Sequence, residues 1–171
     1  MMAIIYIIAL VSFIPAVANA QDSTAAQHFK KGTYFMANAD YTLAISSFSK
    51  AINLDSTDAN TYLQRGFCRN LTSDHEGAIE DFTSSITLKP DNPWALVSRG
   101  SSKNKIGQYE SAIIDFNAAL EIDPKDQEAY NNRGFSKKQL GDMKGACTDW
   151  KISKKLGNKE APIILKNNYC D

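Results

Sequence analysis

The stretch from Ala59 to Asn92 can be laid over the chain three further times without a gap, and this fixed period of 34 residues constrains the fold more than any other feature. Moved forward one period, Arg65-Gly66 falls on Arg99-Gly100, and one period later on Arg133-Gly134; moved back, it falls on Lys31-Gly32. The same shift carries Ala78 onto Ala44, Ala112 and Ala146, and Phe82 onto Phe48, Phe116 and Trp150. Small and aromatic residues recurring in phase at this spacing describe one supersecondary unit stacked on copies of itself. A unit of this size cannot bury its apolar face alone, so its neighbours complete the core and the last face needs a cap.

The punctuation between the copies is helical. Thr24, Asp58, Asn92 and Asp126 each stand one residue before a predicted helix, where a side-chain oxygen can accept a free backbone N–H. Pro93 suits the first position of a helix, where its missing N–H costs nothing. Gly107 and Gly141 suit the left-handed residue that closes a helix before its partner begins. These signals predict helices over 25–38, 41–54, 59–72, 75–88, 93–106, 109–122, 127–140 and 143–156, then a cap from about 161 to 169. No strand pattern is present. Gly32, Gly66, Gly100 and Gly134 fall inside helices, where glycine costs about 1 kcal/mol relative to alanine. A cost repeated in every copy implies close approach of the second helix. The expectation is that Ala44, Ala78, Ala112 and Ala146 allow that approach while Phe48, Phe82, Phe116 and Trp150 fill the space between pairs. Ile45, Ile79 and Ile113 would face the following copy, and Ile163, Ile164 and Leu165 would supply the apolar face of the cap.

Glycine in the eighth place, alanine in the twentieth, an aromatic in the twenty-fourth and proline in the thirty-second resemble the tetratricopeptide repeat, or TPR. The resemblance covers residues 25 to 158, in copies 25–58, 59–92, 93–126 and 127–160, with a cap over 161–171. Departures are specific. The proline becomes Ser56 and Asn158, the fourth-place aromatic becomes His28 and Leu96, and the tyrosine usual in the eleventh place becomes Phe35, Arg69, Lys103 and Lys137. The resemblance implies an all-α fold: a right-handed α-solenoid of four helix pairs plus a C-terminal capping helix, which binds other proteins.

Residues 1–20 are expected to be a signal peptide, leaving 21–171 as the TPR domain. Ala3 to Val17 is apolar and uncharged, and Ala18-Asn19-Ala20 has the form of a cleavage site. The chain is therefore expected to be exported, periplasmic or secreted, with no membrane span in the mature form. Lys plus Arg equals Asp plus Glu at 19 each, so no net field recruits nucleic acid or an anionic membrane.

Charge nevertheless repeats. Arg65, Arg99 and Arg133 share one place, Asp81, Asp115 and Asp149 another, and Arg69, Lys103 and Lys137 a third; the first copy has Lys31, Ser47 and Phe35 instead. Joint loss of the set implies that its members interact. Pairing within each copy leaves no arginine without an aspartate, so ladders inside repeats are expected rather than a basic groove.

Nothing in the chain activates a nucleophile or gathers metal ligands. There is no Cys-x-x-Cys, no His-Glu-x-x-His, no phosphate loop and no Gly-x-Ser-x-Gly. His28 and His75 occupy aromatic packing places. Neither enzyme activity, cofactor nor metal is expected. Of the three cysteines, Cys147 takes the place of Ile45, Ile79 and Ile113, facing the next helix. Extending the repeat frame into the cap puts Cys170 in the place of Cys68, so Cys147 and Cys170 are expected to form a disulfide, with Cys68 a small buried residue.

The resemblance also implies a concave wall built by the first helix of each pair. Carried over place by place, that wall holds Phe29, Thr33 and Met36; Asn60, Leu63, Phe67 and Asn70; Trp94, Val97, Ser101 and Asn104; and Glu128, Asn131, Phe135 and Lys138. The clamp of lysine and asparagine that grips chaperone C-terminal carboxylates in this family is not reproduced, because Phe29 and Thr33 fill its first two places. The expected function is non-catalytic binding of a peptide or protein segment in the concave groove, through aromatic anchors and neutral asparagines and with little dependence on salt. The alternative is a self-associating scaffold or assembly factor of the cell envelope, a homo-oligomer joined through an end of the solenoid.

Overall fold

In a computed structural model, residues 24–170 are described; the expected signal peptide lies outside them. Among the described residues the chain is entirely helical. Four hairpins follow one another: α1 (Ala25–Ala37) with α2 (Tyr41–Leu54), α3 (Ala59–Leu71) with α4 (His75–Leu88), α5 (Pro93–Lys105) with α6 (Tyr109–Ile122), and α7 (Gln127–Gln139) with α8 (Met143–Lys155). A short α9 (Ala161–Asn167) closes the stack. Every boundary falls within two residues of the expected one. The caps explain why. Thr24 and Gln27 form a reciprocal capping box, while Asp58, Asn92 and Asp126 accept from backbone N–H groups of the first turn that follows.

Each helix packs on the next in sequence, α8 on α9 included. Beyond these neighbours, α1 touches α3, α3 touches α5 and α5 touches α7. The first helices of successive pairs thus lie against one another and form a continuous wall. In a curved stack the layers approach most closely at the inner radius, so this wall is the concave side.

The turn inside each hairpin needs a residue at positive φ. Gly107 and Gly141 serve in the third and fourth pairs (φ 79° and 85°), as their spacing suggests. In the first two pairs the same place holds Ala39 (φ 61°) and Ser73 (φ 65°), which carry a Cβ in a region that L-residues disfavour.

The mid-helix glycines admit the second helix of their own pair, as expected, and the side chain that reaches them is its aromatic. A Cβ on Gly32 would lie 2.6 Å from the Phe48 ring, on Gly66 2.8 Å from Phe82, on Gly100 2.8 Å from Phe116, and on Gly134 2.7 Å from the Trp150 indole. The aromatic of each second helix therefore lies on the glycine of its own pair, and Phe48, Phe116 and Trp150 also share core clusters with Cys68, Ala129 and Leu165 of the element that follows. Ala44, Ala78, Ala112 and Ala146 are fully buried at the same junction. Trp150 is accommodated where the other pairs have phenylalanine because its Nε1–H donates to the Asn131 carbonyl at 3.1 Å.

Under this layer runs the ionic ladder. Asp81, Asp115 and Asp149 are each 1–2% exposed. Each takes a two-pronged hydrogen bond from the arginine of its own repeat, Arg65, Arg99 or Arg133. Arg69, Lys103 and Lys137 complete the sets at 3.1, 2.9 and 2.8 Å. The remaining arginine nitrogen reaches back to the preceding pair: Arg65 donates to Ser49, Arg99 to Thr83 and Arg133 to Asn117. Each ladder is thus formed within a repeat and tied across to the previous one.

At the C-terminal end Leu165 is buried and Ile164 partly buried against Ala146 and Trp150. Ile163, expected on the same face, is 64% exposed. Cys147 and Cys170 are joined by a disulfide with Cα atoms 5.4 Å apart. Cys170 is not on a helix, as the repeat frame suggested. It lies past the end of α9, beyond a turn at Tyr169 (φ 54°), with its N–H bonded to the Leu165 carbonyl. Cys68 is free and buried, and burial pushes its thiol pKa up from 9.0 to about 11.

Candidate functional site: the first-helix wall

The wall residues inferred from the sequence do not form one uniform surface. Trp94, at the start of α5, is 70% exposed, and Phe67, in the middle of α3, is 45% exposed. With Met36, Leu63 and Gln64 they line an apolar cleft of about 430 Å³. Leu63 and Phe67 are one turn apart on α3, which brings them to the same face. Trp94 and Phe67 also border a second cleft of about 370 Å³, completed by residues including Asn70, Val97, Ser101 and Glu128. Trp94 is therefore shared by an apolar cleft and a polar one.

Other wall residues are committed to the fold. Phe29 packs its ring 5.6 Å from that of Phe48, inside the first pair. The Thr33 hydroxyl donates to the Lys30 carbonyl. Val97 is only 9% exposed. Asn70 and Asn104, expected to offer their amides to a ligand, instead bridge successive pairs. Asn70 Nδ2 donates to Ser102 Oγ at 2.8 Å, and Ser136 Oγ donates to Asn104 Oδ1 at 2.8 Å. His75 is within 3.0 Å of Asn70 Oδ1, a contact that the Nδ1–H tautomer makes as donor. These asparagines form a second periodic ladder, one that runs between repeats. Its serine partners stand in the place of Cys68, and the period alone did not expose them as partners.

Asn60 is exposed at the first turn of α3. Ser101 Oγ accepts from Asn132 Nδ2 at 3.4 Å. Phe135, 42% exposed, meets Tyr109 edge-on at 6.3 Å. Asn131 lines a third cleft with Gln127, Glu128, Lys159 and Glu160. Lys138 is exposed at the end of α7. The turn between α6 and α7, which is not part of the first-helix wall, also contributes: Asp123, Lys125 and Asp126 border the Trp94 cleft. Their position at the end of one repeat was the available signal, since that turn delivers the chain to the first-helix wall.

Among the described residues no group of three or more His, Cys, Asp or Glu is placed to hold a metal, and no helix is long and apolar enough to cross a membrane.

A stack of helix pairs on a 34-residue frame, with glycine under an aromatic in every pair, is the architecture of the tetratricopeptide repeat. Residues 100–141 match the family described as TPR repeat. No curated protein matches the chain. The fold is similar to that of MamA in its crystal structure, with a TM-score of 0.78, 23% identity and 84% of each chain covered. MamA from Desulfovibrio magneticus RS-1 gives a TM-score of 0.75 at 18% identity, over 78% of this chain and 76% of that one. The first TPR domain of Spaghetti (RPAP3), solved bound to the HSP90 peptide SRMEEVD, gives 0.67 at 21% identity, over 69% of this chain and 94% of that one. At these identities the likeness is one of fold.

Proposed function

We propose that this chain is an exported, non-catalytic interaction module that holds a peptide or protein segment against the wall formed by α1, α3, α5 and α7. The observation that carries the proposal is the pairing of Trp94 and Phe67, large apolar side chains left open beside Met36 and Leu63 on the inner side of the stack. Exposed aromatics clustered at a concave surface are the usual anchors of a protein interface. The apolar leader ending in Ala18-Asn19-Ala20 supports export. The peptide-bound TPR domain of RPAP3 supports peptide binding by this fold.

The test is capture of a partner from the exporting compartment, followed by measurement of its affinity for the wild type and for a Phe67→Ala, Trp94→Ala double variant. Binding should weaken by at least ~2 kcal/mol with helicity intact. Charge reversal at Lys154 and Lys155 should have little effect. Normal binding by the double variant, with loss on lysine reversal, would move the interaction to the outer face.

Self-association as a scaffold is favoured by a separate observation. Tyr34, 66% exposed, holds the place where Cys68, Ser102 and Ser136 are buried in the later pairs. The N-terminal edge of the stack is thus open among the described residues. A mass that rises with concentration in light scattering, and falls back in Tyr34→Lys, would establish this reading in place of the first.

A further inference from the structure

The two clefts that share Trp94 differ in charge. The cleft with Met36, Leu63 and Gln64 has no ionisable group in its lining. The other is bordered by Asp123, Asp126 and Glu128 against a single cation, Lys125. Among the described residues none of these three acids belongs to an ion pair. Arg99, Lys103, Arg133 and Lys137 on the flanking helices are committed to the buried ladder aspartates. Asp126 spends one oxygen on capping α7 and Asp123 one on the Lys125 N–H. Along the same wall, Gln127 Oε1 and Asn131 Oδ1 are buried acceptors with no donor. The lining of the polar cleft thus sets three acids against one lysine, and the apolar cleft beside it is open.

We propose, resting on the wall as the binding surface, that the partner segment carries an apolar side chain followed closely by lysine or arginine. The apolar side chain fills the cleft of Met36, Leu63 and Phe67. The cation crosses the open face of Trp94, within the field of Glu128 and Asp123. A cation over an exposed tryptophan gains from the ring quadrupole, and acids beyond the ring add attraction that salt screens. This differs from the acidic peptide held by the RPAP3 domain. It also revises the salt-independent binding expected from the neutral asparagines, because Asn70 and Asn104 are tied to serines.

The test uses labelled synthetic peptides on one neutral backbone: Leu with Lys, Leu with Glu, Leu with Ser, and Ser with Lys. Fluorescence anisotropy is read with the mature chain and with the variants Trp94→Ala, Glu128→Gln and Asp123→Asn. The Leu–Lys peptide should bind best and weaken as salt rises. Glu128→Gln should weaken it about two- to fivefold, the size of one exposed charge contact, while leaving the Leu–Ser peptide unchanged. Trp94→Ala should weaken both the Leu–Lys and the Leu–Ser peptide. Two results overturn the charge proposal while leaving the wall as the binding surface: equal binding of the Leu–Glu and Leu–Lys peptides, or indifference of the Leu–Lys peptide to Glu128→Gln, in either case with loss in Trp94→Ala. Leu–Lys binding that survives Trp94→Ala, or no binding by any peptide, overturns the wall as well.

Discussion

Replacing Asp115 by alanine removes the centre of one ladder and leaves its cations in place. Asp115 is 2% exposed, and its oxygens take hydrogen bonds from Arg99 at 2.7 and 3.0 Å and an ion pair from Lys103 at 2.9 Å. The side chains of Arg99 and Lys103 are only 19% and 12% exposed. Without the carboxylate, two cations sit side by side with most of their hydration already lost. Breaking a buried pair from one side costs roughly 3–5 kcal/mol. Partial access of both cations to water lowers the expectation here to about 2–4 kcal/mol. The first repeat shows a different solution at the same three places: Lys31, Phe35 and Ser47, with Ser47 buried and bonded to the Leu43 carbonyl. Installing that set as Arg99→Lys, Lys103→Phe and Asp115→Ser should therefore recover most of the loss, because the one remaining cation can reach water over a phenylalanine ring, as Lys31 does over Phe35, with no second cation beside it. The assay is urea unfolding followed by far-ultraviolet circular dichroism, with the midpoint and slope compared among wild type, single and triple variants. A loss below about 1 kcal/mol in Asp115→Ala, or a triple variant no better than the single, would refute the view that unpaired charge dominates the cost.

Glycine at Ala39 or Ser73 should stabilise the chain by up to about 1 kcal/mol each, because both residues hold positive φ where the later pairs use glycine; a lower melting temperature in both variants would count against this. Ser85 is fully buried and its hydroxyl lacks a partner, while the same place holds Ala51 and Ala119 elsewhere. Ser85→Ala should raise stability by about 1 kcal/mol by removing an unsatisfied hydroxyl, as measured by chemical denaturation. The Cys68 thiol, raised to about 11 in the fold from 9.0, should resist alkylation at pH 8 until the chain unfolds. Since the unfolded thiol ionises first, this group's contribution to stability should fall as pH rises from about 9 to about 11. Rapid labelling of the native protein, read by mass spectrometry, would contradict the burial.

The sequence by itself determined the repeat frame, the helix boundaries, the membership of the ionic sets and the pairing of Cys147 with Cys170. Each of these is periodic or local: a cap acts on the turn beside it, and residues in phase at 34 take equivalent positions in every pair. The frame settled the ladder because Arg99 and Asp115 lie on the two helices of one hairpin, a short distance apart in sequence and forced together by the turn. Only the tertiary structure decided which wall residues are open. Asn70 and Trp94 are equally assigned to the wall by place, yet one is tied to Ser102 in the next pair and the other stands 70% exposed. Such differences depend on what a neighbouring repeat offers across the junction, and a repeat period does not contain that. The same reason hides the acidic edge of the Trp94 cleft: Asp123 and Asp126 come from a turn, and their meeting with Phe67 is made only when α3, α5 and α7 stack.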